Sequence, residues 1–508
     1  MRRRIAGVLV ILGLAVGLTG AAFSGRVGAQ APDVLVVGRG FEVLSLDPHK
    51  GGSDLNIFDT LVARDADWQH NPGLALSWQT LDPTTWELKL RRGVRFHNGE
   101  PFNAHVVKFS FERGLDPKTK WARAGLLRLI KAITIVDEYT VRFATQRPWP
   151  QFVPTMAMFG WVVPPRYLEK NGDDALLRRP VGTGPYRFVR WVKDDRLELE
   201  ANDDYWGGRP KIRRVVVRTI PNNATRLAEL LSGSVHLIEL IPPELYGPIQ
   251  RSPRTRLVQA RSAGVLMILL NLNNIAPNRP LADRRVRLAL NHAVDRRALI
   301  ASIMHNVGAP VATFCTEVMR GCDMSIAPFP YDVERARTLL REAGYPDGFD
   351  MTISTTSGTY PGDRDLTLAV ADQLSAVGVR ARPVVTEFGV FLRALVERKL
   401  PSDAAFARYT DFLGYAGDIG FRAYHPQGYG SQWFPGNREF QQLLETAEVI
   451  FDEARLRDLL RRAQLLFRQE APGMPLITAP YVYGLHRNLE WRPRPDLTLP
   501  LGTAYWRQ

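Results

Sequence analysis

Residues 265–300, VLMILLNLNNIAPNRPLADRRVRLALNHAVDRRALI, decide how the chain is read. Residues 265–270 are a short apolar run, and the alternation continues through Asn271-Leu272-Asn273-Asn274, so one buried strand is expected to end in amide side chains. A polar end on a buried strand lines something, and Asn271 and Asn273 are expected to hydrogen-bond at a cleft. Pro277 and Pro280 break the strand. Asp283 then caps a helix whose Val286, Ala289, Leu290, Ala293 and Val294 recur at helical spacing. Here the chain is expected to leave one lobe for another, at a hinge whose adjoining cleft binds a small solute.

Upstream, residues 33–37 read as a strand followed by Gly38-Arg39-Gly40, the opening of a dinucleotide fingerprint. The third glycine is missing, since Val43 holds its place, and Ser45-Leu46-Asp47-Pro48 turns the chain where a helix would begin. The nucleotide reading is rejected, and the loop is expected to face the cleft with Ser45 and Asp47 as hydrogen-bonding groups. From residue 74 to about 180, alternating strands, an Asn98-Gly99 turn and a helix capped by Asn103 describe a compact α+β insertion. Pro180-Val181-Gly182-Thr183-Gly184-Pro185-Tyr186 is a shaped turn of close backbone approach. A strand at 215–220, a helix at 224–231 and a strand at 235–240 then make a βαβ unit.

Downstream, two helices and two strands between 332 and 385 form a second α/β unit, with Thr356, Ser357 and Tyr360 after its first strand as candidate contacts. The aromatic, Gly-rich segment 408–434, RYTDFLGYAGDIGFRAYHPQGYGSQWF, supplies Tyr409, Asp411, Tyr415, Asp418, Trp433 and Phe434. Aromatic rings there are expected to stack on a guest and carboxylates to meet its cation. Two amphipathic helices follow, and the tail from Met474 reads as strands returning to the first lobe.

A chain of 508 residues favours two or three domains. Arg2, Arg3 and Arg4, an apolar run at 5–18 and Val27-Gly28-Ala29 fit an export leader cleaved after Ala29. The apolar run is too short to span a membrane comfortably. The two cysteines, Cys315 and Cys322, are too few for a metal site and do not stand where a lipid anchor would. An exported, periplasmic compartment permits a disulfide between them. The net charge of +14 falls to +10 without the leader, and its arginines are spread evenly among acids, with no basic tail to mark a nucleic-acid partner. No tight histidine spacing marks a metal site, and no cofactor is expected. A secreted hydrolase is the competing class, but Gly-x-Ser-x-Gly and His-Glu-x-x-His are absent, and Asp203 and Asp204 sit in a polar turn, so no catalytic residue is assigned.

Several segments, taken in order, resemble the solute-binding proteins of ABC importers, family 5, which take peptides, nickel and oligosaccharides. They are LALSW, LRRGVRFHNGEPFNAHVVKFSFER, GTGPY, ANDDYWGGRPKIRRVVVR, LNLNN with ADRRVRLALNHAVDRRALI, and YDVERARTLLREAGYPDGF. The resemblance implies an α/β protein of two lobes with hinge strands and an extra α+β subdomain in the first lobe. Lobe I is expected at 30–73, 181–275 and 485–508, the insertion at 74–180 and lobe II at 276–484. It further implies a monomer that closes on its ligand and delivers it to a membrane permease. In peptide-binding members an aspartate of a Trp-Thr-Gly-Asp segment meets the ligand's ammonium; here Tyr409-Thr410-Asp411 and Gly417-Asp418 compete for that role. Peptide-like compounds are the expected guests, with oligosaccharide, opine or metal chelate as alternatives.

Overall fold

The computed structural model describes residues 33–51, 56–121, 123–272, 279–428, 434 and 436–507. The expected leader, Asn273 and Trp433 lie outside the described residues. Among the described residues, alternating apolar strands and amphipathic helices build three larger sheets of seven, five and four strands, with separate apolar cores packed on their faces.

The first lobe holds a seven-stranded sheet in the order Thr255–Gln259, Val482–His486, Leu237–Ile238, Val34–Arg39, Arg214–Thr219, Arg196–Ala201, Tyr186–Val192. Val34–Arg39 runs parallel to both Arg214–Thr219 and Leu237–Ile238. The crossover between those two neighbours is the helix Asn223–Ser232, capped by Asn222 and closed by Gly233 in the left-handed conformation, which is the expected βαβ unit. The insertion is an antiparallel sheet of four strands, Ala75–Asp82, Thr85–Leu90, Thr140–Thr145 and Ile130–Asp137, with the helix Ala104–Leu115 capped by Asn103 as expected. Its core stacks Trp86 on Phe152 with ring centroids 4.9 Å apart. In the turn that leads back to the first lobe, a Cβ on Gly182 would run into the Ile57 carbonyl oxygen, so this position accepts glycine alone.

The second lobe is a five-stranded sheet ordered Arg380–Val385, Asp350–Thr355, Ala404–Thr410, Gly264–Leu270, Gly473–Thr478. Gly264–Leu270 is buried at every residue and antiparallel to both neighbours. Leu266, Ile268 and Leu270 enter one core and Val265, Met267 and Leu269 another, because helices cover both faces of the sheet. That two-sided burial is why the run is apolar throughout instead of alternating.

This pairing moves the expected boundary. The strand assigned in sequence to the first lobe belongs to the second, so the chain crosses at 260–263, not at 275, and returns at 479–481, not at 485. The two crossings run side by side: Ala260 N–H donates to the Tyr481 carbonyl and Ala479 N–H to the Gly264 carbonyl, each at 2.9 Å. Periodicity locates a strand but not its partner, and partner choice sets lobe membership.

Candidate functional site

Parallel strands bring their carboxyl ends to one edge of a sheet, where ligands of open α/β sheets gather. In the first lobe that edge carries Arg39, which ends Val34–Arg39, and Glu239, which follows Leu237–Ile238; their side chains pair at 2.7 Å. In the second lobe it carries Thr355 and Thr356 and, from Ala404–Thr410, the side chains of Arg408, Thr410 and Asp411. The crossings lie between these two edges.

Arg408 sits at the crossings themselves. Its guanidinium lies 3.8 Å from the Tyr481 ring centroid and donates to the Ala479 carbonyl at 2.7 Å. A Cβ on Gly264 would come within 2.7 Å of its Nε, so glycine at the start of the central strand makes room for it. On the first-lobe side, fully buried Asp496 pairs with Arg494 and, at 3.5 Å, with Arg64. Burial alone would raise the Asp496 pKa, but the charges of Arg494 and Arg64 hold it below the usual carboxylate value. Arg64 also reaches across the lobes, donating to the Phe412 carbonyl at 2.7 Å, and to Pro154 of the insertion at 3.2 Å.

The loop after Thr410 gathers four of the residues singled out in sequence. Asp411 is fully buried and accepts the backbone N–H groups of Leu413 and Tyr415 at 2.8 and 2.7 Å. Burial and then the charge of Asp418 push it up to about 7, against those N–H groups and Arg422. Tyr409 and Tyr415 are buried beneath this loop, and Asp418 pairs with Arg422 at 2.6 Å in the helix Ala416–Tyr424. Glu448 joins them; burial and the charge of Asp418 push it up to about 7, while Arg147 of the insertion opposes. The second-lobe wall is therefore acidic, and the crossings are basic.

The remaining candidates divide. Thr356, Ser357 and Tyr360 lie at the cleft end of the second sheet, in a loop organised by Asp363, which accepts the Thr356 hydroxyl at 2.6 Å and the N–H groups of Gly358, Thr359 and Tyr360. Asn271 is corrected: its strand enters at the crossing and runs away from it, so the amide donates to the Ser402 carbonyl at the far end of the lobe. Asp47 is corrected as well. Its carboxylate binds Arg113 of the insertion at 2.6 Å and caps the turn at His49, so Asp47 fastens the first lobe to its insertion, while Ser45 bonds to the backbone of Asp47 and shapes the same turn. Phe434 is buried against Phe440 with ring centroids 5.0 Å apart, a core contact and not a stacking face. Cys315 and Cys322 are joined, with Cα atoms 5.8 Å apart. Sequence reading missed Arg64, Arg408, Arg494, Glu239, Tyr481 and Tyr483; the one local hint was Arg408, a lone cation ending an apolar strand beside Tyr409-Thr410-Asp411.

The Asp411 shift has a measurable consequence. The unfolded carboxyl ionises near 3.8 and the folded one near 7, so the folded state binds the extra proton between those values and stability falls as pH rises through that window. Replacing Asp411 with asparagine is expected to flatten the decline of the unfolding free energy, read by urea titration between about pH 4 and 7, by up to ~1.4 kcal/mol per pH unit. Glu448, raised similarly, keeps the rest of the slope. An unchanged slope would mean that Asp411 is ionised throughout.

Two α/β lobes joined by paired crossings, with charged groups at the strand ends of each, have the architecture of a two-lobed solute-binding protein. Residues 69–413 match the family described as bacterial extracellular solute-binding proteins, family 5 Middle, and the chain belongs to that family. Among curated relatives, the glutathione-binding protein GsiB of Salmonella choleraesuis is 29% identical over 503 residues, covering 95% of this chain and 94% of that protein. Among solved structures, the periplasmic binding protein DppA of Helicobacter pylori, in complex with peptide STSA, superposes with a TM-score of 0.76 at 28% identity, over 94% of this chain and 98% of its own. HbpA2 of Haemophilus parasuis shares the fold, with a TM-score of 0.81 at 24% identity over 94% of this chain and all of its own. No helix among the described residues is long and apolar enough to cross a membrane.

Proposed function

We propose that the protein captures a peptide or peptide-like solute between its lobes in the periplasm and delivers it unaltered to an ABC permease in the inner membrane. The leader is removed near Ala29, and the mature chain acts as a monomer. The observation that carries this reading is the pairing of an acidic wall, Asp411, Asp418 and Glu448, with basic crossings around Arg408. A zwitterionic guest needs both signs of charge within one cleft, because each of its ends loses water on closure. The names of GsiB and of DppA with its bound peptide support a peptide-like guest. Closure follows from differential affinity: a guest touching both lobes stabilises the state in which they meet, as in periplasmic binding proteins generally.

Mass spectrometry of molecules that co-purify with the protein, followed by thermal-shift titration of short peptides, tests this. A guest specific for the folded state at a hundred times its Kd adds about 2.7 kcal/mol of stability. Stoichiometric retention of intact peptide is expected; turnover of the peptide would favour a hydrolase, and a shift with sugars alone would remove the peptide reading.

A further inference from the structure

An ion withdrawn from water needs a partner, so buried charges balance locally. Around Tyr483 they do not. Glu239 and Asp496, both fully buried, act on its hydroxyl, and so does Arg408. Glu239 is matched by Arg39, and Asp496 by Arg494 and Arg64, whereas Arg408 has the Ala479 carbonyl and the Tyr481 ring as its contacts and no carboxylate among the described residues. Four guanidiniums thus face two carboxylates. The next carboxylate, Asp411, turns both oxygens to backbone N–H groups of its own loop. Four donors of this cluster, Nε of Arg64, Arg408 and Arg494 and the Tyr483 hydroxyl, and one acceptor, Oε2 of Glu239, are buried with no hydrogen-bond partner among the described residues.

We propose that the guest itself carries two carboxylates, one received by Arg408 at the crossings and the other by Arg494. This rests on the solute-binding reading above and narrows its guest to acidic peptides and peptide-like dicarboxylates. The planar fork of a guanidinium matches a carboxylate in geometry as well as in charge, which an amide or ester does not. Position adds a second consequence. Arg408 touches the returning crossing through Ala479 and the outgoing one through Gly264, so a carboxylate bound to it braces the two crossings against each other. Recognition of the anion and closure of the lobes are then one event.

Thermal-shift titration of the purified full chain with glutathione, glutathione diethyl ester and glutarate tests the proposal. Glutathione is expected to raise the melting temperature, with the diester binding weaker by about tenfold or more because it leaves both guanidiniums unmatched. Arg408→Gln is expected to lose glutathione affinity by a similar factor, and Arg408→Lys to recover part of it. Should Arg408→Gln fail to fold, the comparison of acid and diester on the unaltered protein still decides. Equal binding of acid and ester, or no shift with any of the three, would overturn the proposal. Neutral and amidated peptides binding as well as acidic ones would keep the peptide reading and remove this one. A response to glutarate without any response to peptides would do the reverse.

Discussion

Replacing Arg64 with methionine is expected to lower the unfolding free energy by about 3 kcal/mol, the lower end of the range for removing one member of a buried ion pair, because Asp496 keeps Arg494. Arg64 has 1% of its side chain exposed and Asp496 none. Methionine fills much of the same volume, so the loss comes from charge and hydrogen bonds and not from a cavity. Asp496 would keep Arg494 and the Thr498 bonds, but the carbonyls of Phe412 and Pro154 would lose their charged donor. The Phe412 bond crosses from one lobe to the other. A hydrogen bond from a charged group is worth about 1.5–3 kcal/mol, so guest affinity should also fall by roughly tenfold or more as the closed state weakens. Urea unfolding and isothermal titration read the two effects separately. A stability loss with unchanged affinity would show that Arg64 braces the first lobe alone.

Asp47→Ala separates structure from recognition in the opposite way. Its carboxylate is fully buried on Arg113, which has 6% of its side chain exposed, and the same group caps the turn at His49. Alanine removes both, at an expected cost of about 3 kcal/mol. The outcome falls at the lower end of the range for buried pairs because Arg113 retains Asp173 at 2.6 Å. Guest affinity should not change, since neither residue faces the cleft. A variant of normal stability that has lost its ligand response would return Asp47 to the binding site.

Residues near one another in the chain announced themselves. Asn103 and Asp283 each cap the helix that follows, because a cap needs only a side-chain acceptor two or three residues before a free N–H. The close approach at Gly182 was legible for a similar reason: only glycine fits such a turn. The amide end of the central strand misled. Asn271 is polar because it ends a buried strand, but which end of that strand meets the cleft depends on where the chain entered the sheet. Asp411 and Asp418 were visible as acids among aromatics, while their mutual repulsion and the part played by Glu448 required three elements to meet.

By itself the sequence determined the elements, their order, the α+β segment inserted within the first lobe and the presence of a disulfide-sized cysteine loop. These follow from periods of two and 3.6 residues and from turn chemistry, all of which act over a few positions. Only the tertiary structure decided where the crossings lie and which charges answer one another. Arg64 and Asp496 stand 432 residues apart, and Arg64 and Phe412 stand 348 apart. At such distances the chain carries no local signature of a pair. The low-dielectric interior that makes an unmatched arginine consequential exists only once the lobes have folded around it.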